Sequence, residues 1–187
     1  AVLFDKTGTL TLGKPEVTDL DIFTGSQSLL LLYAASLEQL STHPLGEAII
    51  SRAGREGIVP TDVQNYSYQP GQGLMGLISG GVIRVGNRRF IDEAGIIVDP
   101  EEEKQIKRRQ EEGKTTVLIS RDTRLLGLIA IADTVKNSAS AAVKELKVMG
   151  IIPTMVTGDN QRTAEAVGKM VGIEQIIAGV LPDEKEI

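Results

Sequence analysis

The fold is decided by the opening stretch Ala1-Val2-Leu3-Phe4-Asp5-Lys6-Thr7-Gly8-Thr9-Leu10. The apolar run from Val2 to Phe4 predicts a short buried strand, and Asp5 follows at its carboxyl end. Small polar residues come next, with Gly8 free to turn. Because open α/β sheets bind their ligands at the carboxyl ends of the strands, the stretch predicts a functional carboxylate at Asp5.

A carboxylate in this position can be a metal ligand, a general base or a nucleophile. Thr7, Gly8 and Thr9 add hydroxyl and backbone N–H groups, which suit a phosphate. For an isolated aspartate, an ordinary turn after a buried strand is the better interpretation. The complete string from Asp5 to Thr11 favours phosphate chemistry, because seven fixed positions rarely match a motif by chance.

Composition limits the classes of function. The chain has 187 residues, of which 41% are hydrophobic and 3% aromatic, so we expect one or two soluble globular domains with an aliphatic core. The absence of cysteine excludes disulfides and thiolate metal sites. A net charge of −5 argues against a nucleic-acid partner. The apolar runs are too short to span a membrane, and no signal peptide is present.

The middle of the chain predicts helices followed by antiparallel strands. Gly71-Gln72-Gly73 and Gly80-Gly81 predict tight turns between strands. In chain order we predict a strand over Val17–Phe23, helices from Ser26 or Ser28 to Leu40 and over Leu45–Arg55, strands within 62–85, a short helix over Arg88–Glu93, a solvated charged helix over Pro100–Glu112, and a hairpin of Thr115–Ser120 and Arg124–Ala132.

The last third alternates between strands and helices. A helix over Asn137–Met149, with Ala142, Val143, Leu146 and Met149 on its apolar face, precedes a strand over Ile151–Val156. A helix over Arg162–Val171 and a strand over Ile176–Val180 follow. This order is typical of a parallel sheet. We therefore predict an α/β domain (1–15 and 127–187) that is interrupted by an α+β domain with an antiparallel sheet (16–126). We also predict that regular secondary structure is broken at Gly13-Lys14-Pro15.

The string Asp5-Lys6-Thr7-Gly8-Thr9-Leu10-Thr11 resembles the phosphorylation motif of the P-type ATPases. This resemblance implies a haloacid-dehalogenase-like, Rossmannoid phosphorylation domain, in which Asp5 attacks the γ-phosphate of ATP and Lys6 and Thr7 belong to the catalytic site. Haloacid-dehalogenase-like phosphatases carry a second aspartate where this chain has Thr7. Its replacement should slow hydrolysis of the acyl phosphate, which suits a pump.

Three further motifs follow in the family's order. The second motif resembles the stretch Thr157-Gly158-Asp159-Asn160, which by itself would be a plain strand-to-helix turn. The resemblance implies that Thr157 contacts the phosphoryl group and that Gly158 and Asp159 help to hold the nucleotide and the loop. Leu181-Pro182-Asp183-Glu184-Lys185 resembles the third, in which Lys185 neutralises phosphoryl charge. Asp133-Thr134-Val135-Lys136 resembles the acidic motif at re-entry into the phosphorylation domain, which makes Asp133 a residue lining the nucleotide site.

The inserted domain narrows the resemblance to heavy-metal-transporting P-type ATPases. Glu38, Ser41 and His43-Pro44-Leu45 match their nucleotide-binding signature, in which the histidine stacks near adenine and the glutamate hydrogen-bonds its amino edge. The family's Gly-x-Gly and Gly-Asn elements match four further nucleotide-binding residues: Gly71, Gly73, Gly86 and Asn87. Gly71, Gly73 and Gly76 also spell Gly-x-Gly-x-x-Gly, but strands follow them, which excludes a Rossmann dinucleotide site.

The resemblance implies ATP and Mg²⁺, with the metal held by the Asp5 carboxylate and the Thr7 carbonyl. We expect a cytoplasmic portion of an integral membrane protein, and copper as its transported cation. The family's Gly-Asp-Gly-x-Asn-Asp segment, membrane helices and actuator domain are not in the chain. Residues 1–187 alone are therefore expected to bind ATP but to be impaired in turnover.

Two other functions are compatible with parts of the sequence. A soluble phosphatase of the haloacid-dehalogenase type would share the fold and the nucleophile, but Thr7 and the His43 signature argue against it. A non-catalytic nucleotide-binding regulatory module would need only residues 16–126 and would have no use for Asp5. Phosphate transfer from ATP to Asp5 separates the three hypotheses.

Overall fold

The computed structural model describes residues 2–180. One wide π-type turn, Lys6–Leu10, follows the first strand. The elements, in chain order, are β1 (Val2–Asp5), β2 (Thr11–Ile22), α1 (Gln27–Glu38), α2 (Pro44–Arg55), β3 (Gln64–Gln69), β4 (Gly73–Ile78), β5 (Gly81–Gly86), α3 (Arg88–Glu93), α4 (Pro100–Glu111), β6 (Thr115–Arg121), β7 (Arg124–Val135), α5 (Ala139–Val148), β8 (Pro153–Val156), α6 (Gln161–Val171) and β9 (Gln175–Ile177).

The chain folds into two compact units. The first unit comprises Ala1–Lys14, Lys107–Thr115 and Ala132–Ile187, and the second comprises Pro15–Ile106 and Thr116–Ile131. These limits differ from the predicted insertion of 16–126 in two ways. The segment Lys107–Thr115 groups with the first unit, and the second unit continues to Ile131.

The first unit contains a parallel sheet with the strand order β1-β8-β9. Asp5 pairs with Val156, and Val156 pairs with Ile177, so all three strands end at the same edge. Helices α5 and α6 cover the sheet. Their apolar side chains form one cluster with strand residues, built on Leu10, Ala139, Val143, Met155, Ala164, Val167, Val171 and Ile173.

The second unit contains a six-stranded sheet with the order β2-β7-β6-β5-β4-β3. The pairs β3–β4, β4–β5 and β5–β6 are antiparallel. Val117 and Ile119 belong to one apolar cluster, shared with α1 and α2, whereas Leu118 belongs to another, shared with α3 and α4. Because successive side chains of a strand point to opposite faces, the two clusters cover both faces of this sheet. The α/β fold with a separate antiparallel sheet is thus confirmed.

Two predictions about strands are wrong. β1 is not buried: Leu3 is 51% exposed, since β1 is an edge strand of the sheet within the described residues. Gly13-Lys14-Pro15 does not break the structure, because β2 runs without interruption from Thr11 to Ile22. An edge strand has one unpaired side, which accommodates Pro15, which has no N–H group.

Two predictions about helices need correction. In α5 the buried residues are Ala139 and Val143, while Ala142 is exposed and Met149 is 71% exposed. The charged helix α4 is not solvated all round, because it buries Ile106 and Gln110. Across residues 2–180, every helix is too short or too polar to cross a membrane.

Candidate functional site

Asp5 and the loop after β8 share one edge of the parallel sheet. Asp5 lies opposite Val156, so Thr157 begins the loop directly beside the carboxyl end of β1. The N–H of Thr157 donates to the carbonyl of Ile177 (3.0 Å), which holds this loop against β9. The structure therefore brings the first two predicted motifs together, as the parallel topology requires.

The turn after Asp5 is fixed by Thr11, the last residue of its motif, and by Lys136 from a distant part of the chain. Thr7 has an extended backbone, and Gly8 is left-handed at φ 77°, a conformation that favours glycine. The Gly8 N–H donates to the Thr11 hydroxyl (3.2 Å), and Lys136 Nζ donates to the Gly8 carbonyl (2.7 Å). Asp5 and Thr7 are both exposed at this edge. Hydrogen bonds with Thr11 and Lys136 thus hold this turn, while the predicted reactive residues Asp5 and Thr7 are accessible to solvent.

The two motifs are joined by a buried ion pair. Lys6 Nζ lies 2.5 Å from Asp159 Oδ2, and these side chains are only 10% and 9% exposed. The Thr157 hydroxyl donates to the same Oδ2 (2.9 Å), and the Thr115 hydroxyl donates to Oδ1 (2.7 Å). Burial raises the pKa of Asp159, but the charge of Lys6 and these hydrogen bonds outweigh burial and hold that pKa below its ordinary value. Asp159 is therefore ionised.

The N-terminus of α6 is capped by Asn160. Its side-chain oxygen accepts from the Thr163 N–H at 3.1 Å. Gly158 is exposed, and a Cβ there would lie 3.3 Å from the Val180 carbonyl. The predicted role of Asp159 toward nucleotide remains a prediction, because the contacts seen here are to protein groups. The third motif, with Lys185, lies outside the described residues.

Asp133 ties the end of β7 to the start of β2. Its Oδ2 accepts from the Thr11 hydroxyl (2.5 Å) and the Gly13 N–H (3.1 Å), and its Oδ1 accepts from the Lys14 N–H (3.0 Å). Thr11 also interacts with the turn after Asp5, through Gly8. That Asp133 also lines a nucleotide site remains a prediction.

Glu38, at the end of α1, is a buried carboxyl group. It is 7% exposed, and burial raises its pKa to about 7, opposed by a hydrogen bond from Ser41. Gly46, in α2, makes room for it: a Cβ at Gly46 would lie 2.5 Å from Glu38 Oε2. The sequence did not predict a role for Gly46, because the spacing of residues along the chain does not show that α2 packs against the buried Glu38 side chain.

His43 caps the start of α2. The ring atom Nδ1 of His43 accepts a hydrogen bond from the backbone N–H of Leu45 (3.2 Å). The backbone N–H of His43 donates to the Ser41 hydroxyl (3.1 Å). Loss of water around the ring lowers the pKa of His43 below its ordinary value. A neutral ring whose Nδ1 accepts must carry its proton on Nε2. Ser41 therefore links Glu38 to His43, and His43 offers an N–H donor.

The predicted glycines form a second cluster in the same unit, where β4 and β5 meet. Gly73 pairs with Gly86, and a Cβ on Gly73 would lie 2.4 Å from the Val85 carbonyl. Asn87 Nδ2 donates to the Gly71 carbonyl (2.7 Å), and Asn87 Oδ1 accepts from the Phe90 N–H. Gly73 and Gly86 are thus required by close contact between backbones, whatever they also offer to a ligand.

The predicted magnesium ligands fit the metal in kind. The Asp5 carboxylate and the Thr7 carbonyl supply oxygen, which Mg²⁺ prefers, and such sites commonly use one or two carboxylates together with phosphate oxygens. Among residues 2–180, no three histidine, cysteine or acidic side chains gather closely enough to hold a metal ion.

Residues 1–186 match the family model of the haloacid dehalogenase-like hydrolases. The chain is 44% identical over 185 residues to a probable copper-exporting P-type ATPase of Archaeoglobus fulgidus, covering 99% of the chain and 22% of that protein. It is 46% identical over 184 residues to a copper-exporting P-type ATPase of Staphylococcus haemolyticus, covering 98% of the chain and again 22% of that protein. The chain thus spans about a fifth of the length of these relatives.

Solved structures agree with this similarity. The catalytic domain of the CPx-ATPase CopB-B has a TM-score of 0.72 at 26% identity, with 98% of this chain and 62% of that chain covered. A zinc-transporting PIB-type ATPase in its E2.Pi state has a TM-score of 0.67 at 35% identity, with 98% and 29% covered. The chain belongs to the haloacid dehalogenase-like hydrolase family, and it is similar over almost its whole length to the catalytic part of metal-transporting P-type ATPases.

Proposed function

We propose that the chain is the ATP-binding and phosphorylated portion of a heavy-metal-transporting P-type ATPase. The observation that carries this proposal is the meeting of Asp5 with the Thr157–Asn160 loop at one sheet edge, joined by the Lys6–Asp159 ion pair. The similarity to copper- and zinc-transporting ATPases supports it.

In the proposed reaction, Asp5 is the nucleophile. One carboxylate oxygen forms a bond to the γ-phosphorus of ATP, and the bond from that phosphorus to the bridging oxygen of ADP breaks. Bound Mg²⁺ would neutralise phosphate charge and orient the phosphates. The hydroxyl of Thr157, which follows the β8 partner of Asp5, is proposed to contact the phosphoryl group, and the Lys6 ammonium is proposed to offset negative charge at this site. Lys185 is proposed to add a second cation, as the third motif implies.

ATP is proposed to bind in the second unit. The Glu38 carboxylate would accept a hydrogen bond from the adenine amino group, and the His43 ring would stack near the base. Gly71, Gly73, Gly86 and Asn87 complete this proposed site. Because His43 carries its proton on Nε2, it can also donate to a ring nitrogen or a phosphate oxygen.

The transported cation is proposed to be copper, moved by a membrane domain, with an actuator domain as a further partner. The relatives named copper-exporting support copper. The chain would lie on the cytoplasmic side of the membrane.

The test is phosphate transfer from γ-labelled ATP in the presence of Mg²⁺. We expect an acid-stable, hydroxylamine-labile label on Asp5 that is abolished by Asp5→Asn. Labelling is measured on residues 1–187 and on the same residues followed by a Gly-Asp-Gly-x-Asn-Asp segment, at matched ATP occupancy. Label that survives Asp5→Asn in both proteins would exclude Asp5 as the nucleophile. Rapid release of phosphate without an acyl phosphate would favour a soluble phosphatase.

A further inference from the structure

Thr115 lies outside every motif that the sequence analysis identified. It is the first residue of β6, and its hydroxyl donates to Asp159 Oδ1 at 2.7 Å. We propose that Thr115 is a positioning residue of the phosphorylation site, which orients Asp159 and, through it, Lys6. This inference rests on the proposed function, since it concerns the same site.

The two oxygens of Asp159 have separate partners. Oδ2 is shared by the Lys6 ammonium and the Thr157 hydroxyl, both from the predicted motifs. The Thr115 hydroxyl is a donor to Oδ1 from a distant part of the chain. A carboxylate anchored through one oxygen can rotate about its Cβ–Cγ bond. A donor on Oδ1 stops this rotation and fixes the direction in which Oδ2 holds Lys6.

The segment that carries Thr115 is held by contacts of its other residues. The Thr163 hydroxyl, on α6, donates to the carbonyl of Lys114 (3.0 Å). Arg162, also on α6, donates to Gln110 Oε1 (3.2 Å). At Gly113, which is left-handed at φ 76°, an added Cβ would lie 3.2 Å from the side chain of Met170 in α6. The segment Lys107–Thr115 is therefore fixed to the helix that begins at the Asp159 loop, so the hydroxyl is a pre-positioned donor.

Burial makes this arrangement sensitive to the loss of one hydroxyl. Lys6 and Asp159 are each about nine-tenths buried, so water cannot freely replace a missing donor. Lys6 follows the proposed nucleophile directly. If Asp159 rotates, the Lys6 ammonium that it holds moves with it, and we expect transfer to slow while ATP binding in the second unit is unchanged.

The test compares Thr115→Val, which keeps the shape and removes the hydroxyl, with Thr115→Ser, which keeps the hydroxyl. Thr123→Val, an exposed position in the turn of the same hairpin, is the matched control. In residues 1–187, we expect Thr115→Val to raise the pKa of Asp159, followed by carbon-13 NMR of its carboxyl carbon, because a donor to the charged form is lost. Thr115→Ser and the control should retain the wild-type value.

Labelling of Asp5 is then measured at saturating ATP in the same set, with each protein followed by a Gly-Asp-Gly-x-Asn-Asp segment. We expect Thr115→Val to slow labelling roughly 10- to 100-fold, with the dissociation constant of ATP within about twofold of wild type and with rescue by Thr115→Ser. An unchanged pKa of Asp159 in a folded Thr115→Val protein would overturn the proposal. So would an equal loss of labelling in Thr115→Ser. If wild type itself accepts no label, the proposed function fails, whereas the NMR comparison still decides the role of Thr115.

Discussion

At the scale of single residues, His43 has two separable tasks. It caps α2 through Nδ1, and it is proposed to contact the nucleotide through its ring. Asparagine is also a good helix N-cap, so His43→Asn should preserve the fold while losing the ring. We expect the dissociation constant of ATP to rise by a factor equivalent to about 1–3 kcal/mol, measured by calorimetric titration.

His43→Ala is the control for the helix cap. It should lose the same affinity and also lower the free energy of unfolding by about 1 kcal/mol. If the folded His43→Asn protein binds ATP as wild type does, then His43 does not belong to the nucleotide site.

Gly46 tests the position of Glu38 without changing Glu38. A Cβ at this position would lie 2.5 Å from the carboxyl oxygen, so Gly46→Ala must displace the Glu38 side chain. We expect weaker ATP binding in a folded protein, measured by calorimetric titration. Gly54→Ala, in the same helix and with open space at its Cβ, is the matched control and should gain up to about 1 kcal/mol of stability. Equal affinities in the two variants would contradict the role of Glu38.

The buried Glu38 also predicts a dependence of stability on pH. Its pKa is about 7 in the folded chain, against 4.5 as the ordinary value, so the folded state binds the proton more tightly. Stability from this group is fully present below pH 4.5 and is lost as pH rises through 7, by up to roughly 3 kcal/mol. His43 acts in the opposite direction, because its pKa is lowered in the folded chain.

Comparing wild type with Glu38→Gln isolates the contribution of Glu38. Urea unfolding at pH 5 and pH 8 should show wild type losing stability relative to the variant as pH rises. Glu47→Gln, an exposed position in the first turn of α2, should show no such difference. Parallel pH profiles for wild type and Glu38→Gln would mean that Glu38 is not protonated in the folded state.

At the scale of elements, the strands β2 and β7 are joined where they enter the first unit. Asp133, near the end of β7, accepts from the Thr11 hydroxyl and from the backbone N–H groups of Gly13 and Lys14. Asp133→Asn removes the charge and one acceptor from this arrangement. We expect the free energy of unfolding to fall by about 1–3 kcal/mol, measured by urea denaturation.

Asp19→Asn is the control variant, since it also removes one negative charge from β2, near the middle of the strand. Its free energy of unfolding is compared with that of Asp133→Asn. If Asp133→Asn keeps full stability but loses ATP affinity, then Asp133 acts mainly on nucleotide, as the motif resemblance implies.

Local sequence patterns predicted most of the helices and strands, but they did not predict contacts between residues that are far apart in the chain. Pro44 at the first position of α2 and Gly172 after α6 mark helix ends within a few residues, so those boundaries follow from sequence. The bond between Thr115 and Asp159 joins residues 44 positions apart, and no periodic pattern shows such a pair. The exposure of Leu3 likewise depends on strand order, which an apolar run does not reveal.

At the scale of the whole molecule, the second unit has its own core. Both apolar clusters of the six-stranded sheet lie within residues 15–131. We therefore predict that residues 15–131 fold alone and bind ATP with nearly the affinity of residues 1–187, since the first unit is proposed to contribute to the γ-phosphate during transfer. Amide-proton dispersion in NMR tests folding, and calorimetric titration tests affinity.

In the isolated fragment 15–131, one segment should be less protected from amide exchange than it is in residues 1–187. The segment Lys107–Thr115 loses its hydrogen bonds to Thr163 and Arg162, so its amides should exchange faster there, while those of β4 and β5 keep their protection. Poor dispersion throughout the piece would show that the second unit needs the first in order to fold.

The pairing of β1 with β8 joins residues about 150 positions apart. A ribosome releases the chain from its N-terminus, so β1 emerges long before the strand it pairs with. The second unit, encoded between them, can be complete while β1 still lacks this neighbour. During synthesis, a nascent chain would therefore be able to hold a nucleotide before it has a site to which the phosphate could be transferred.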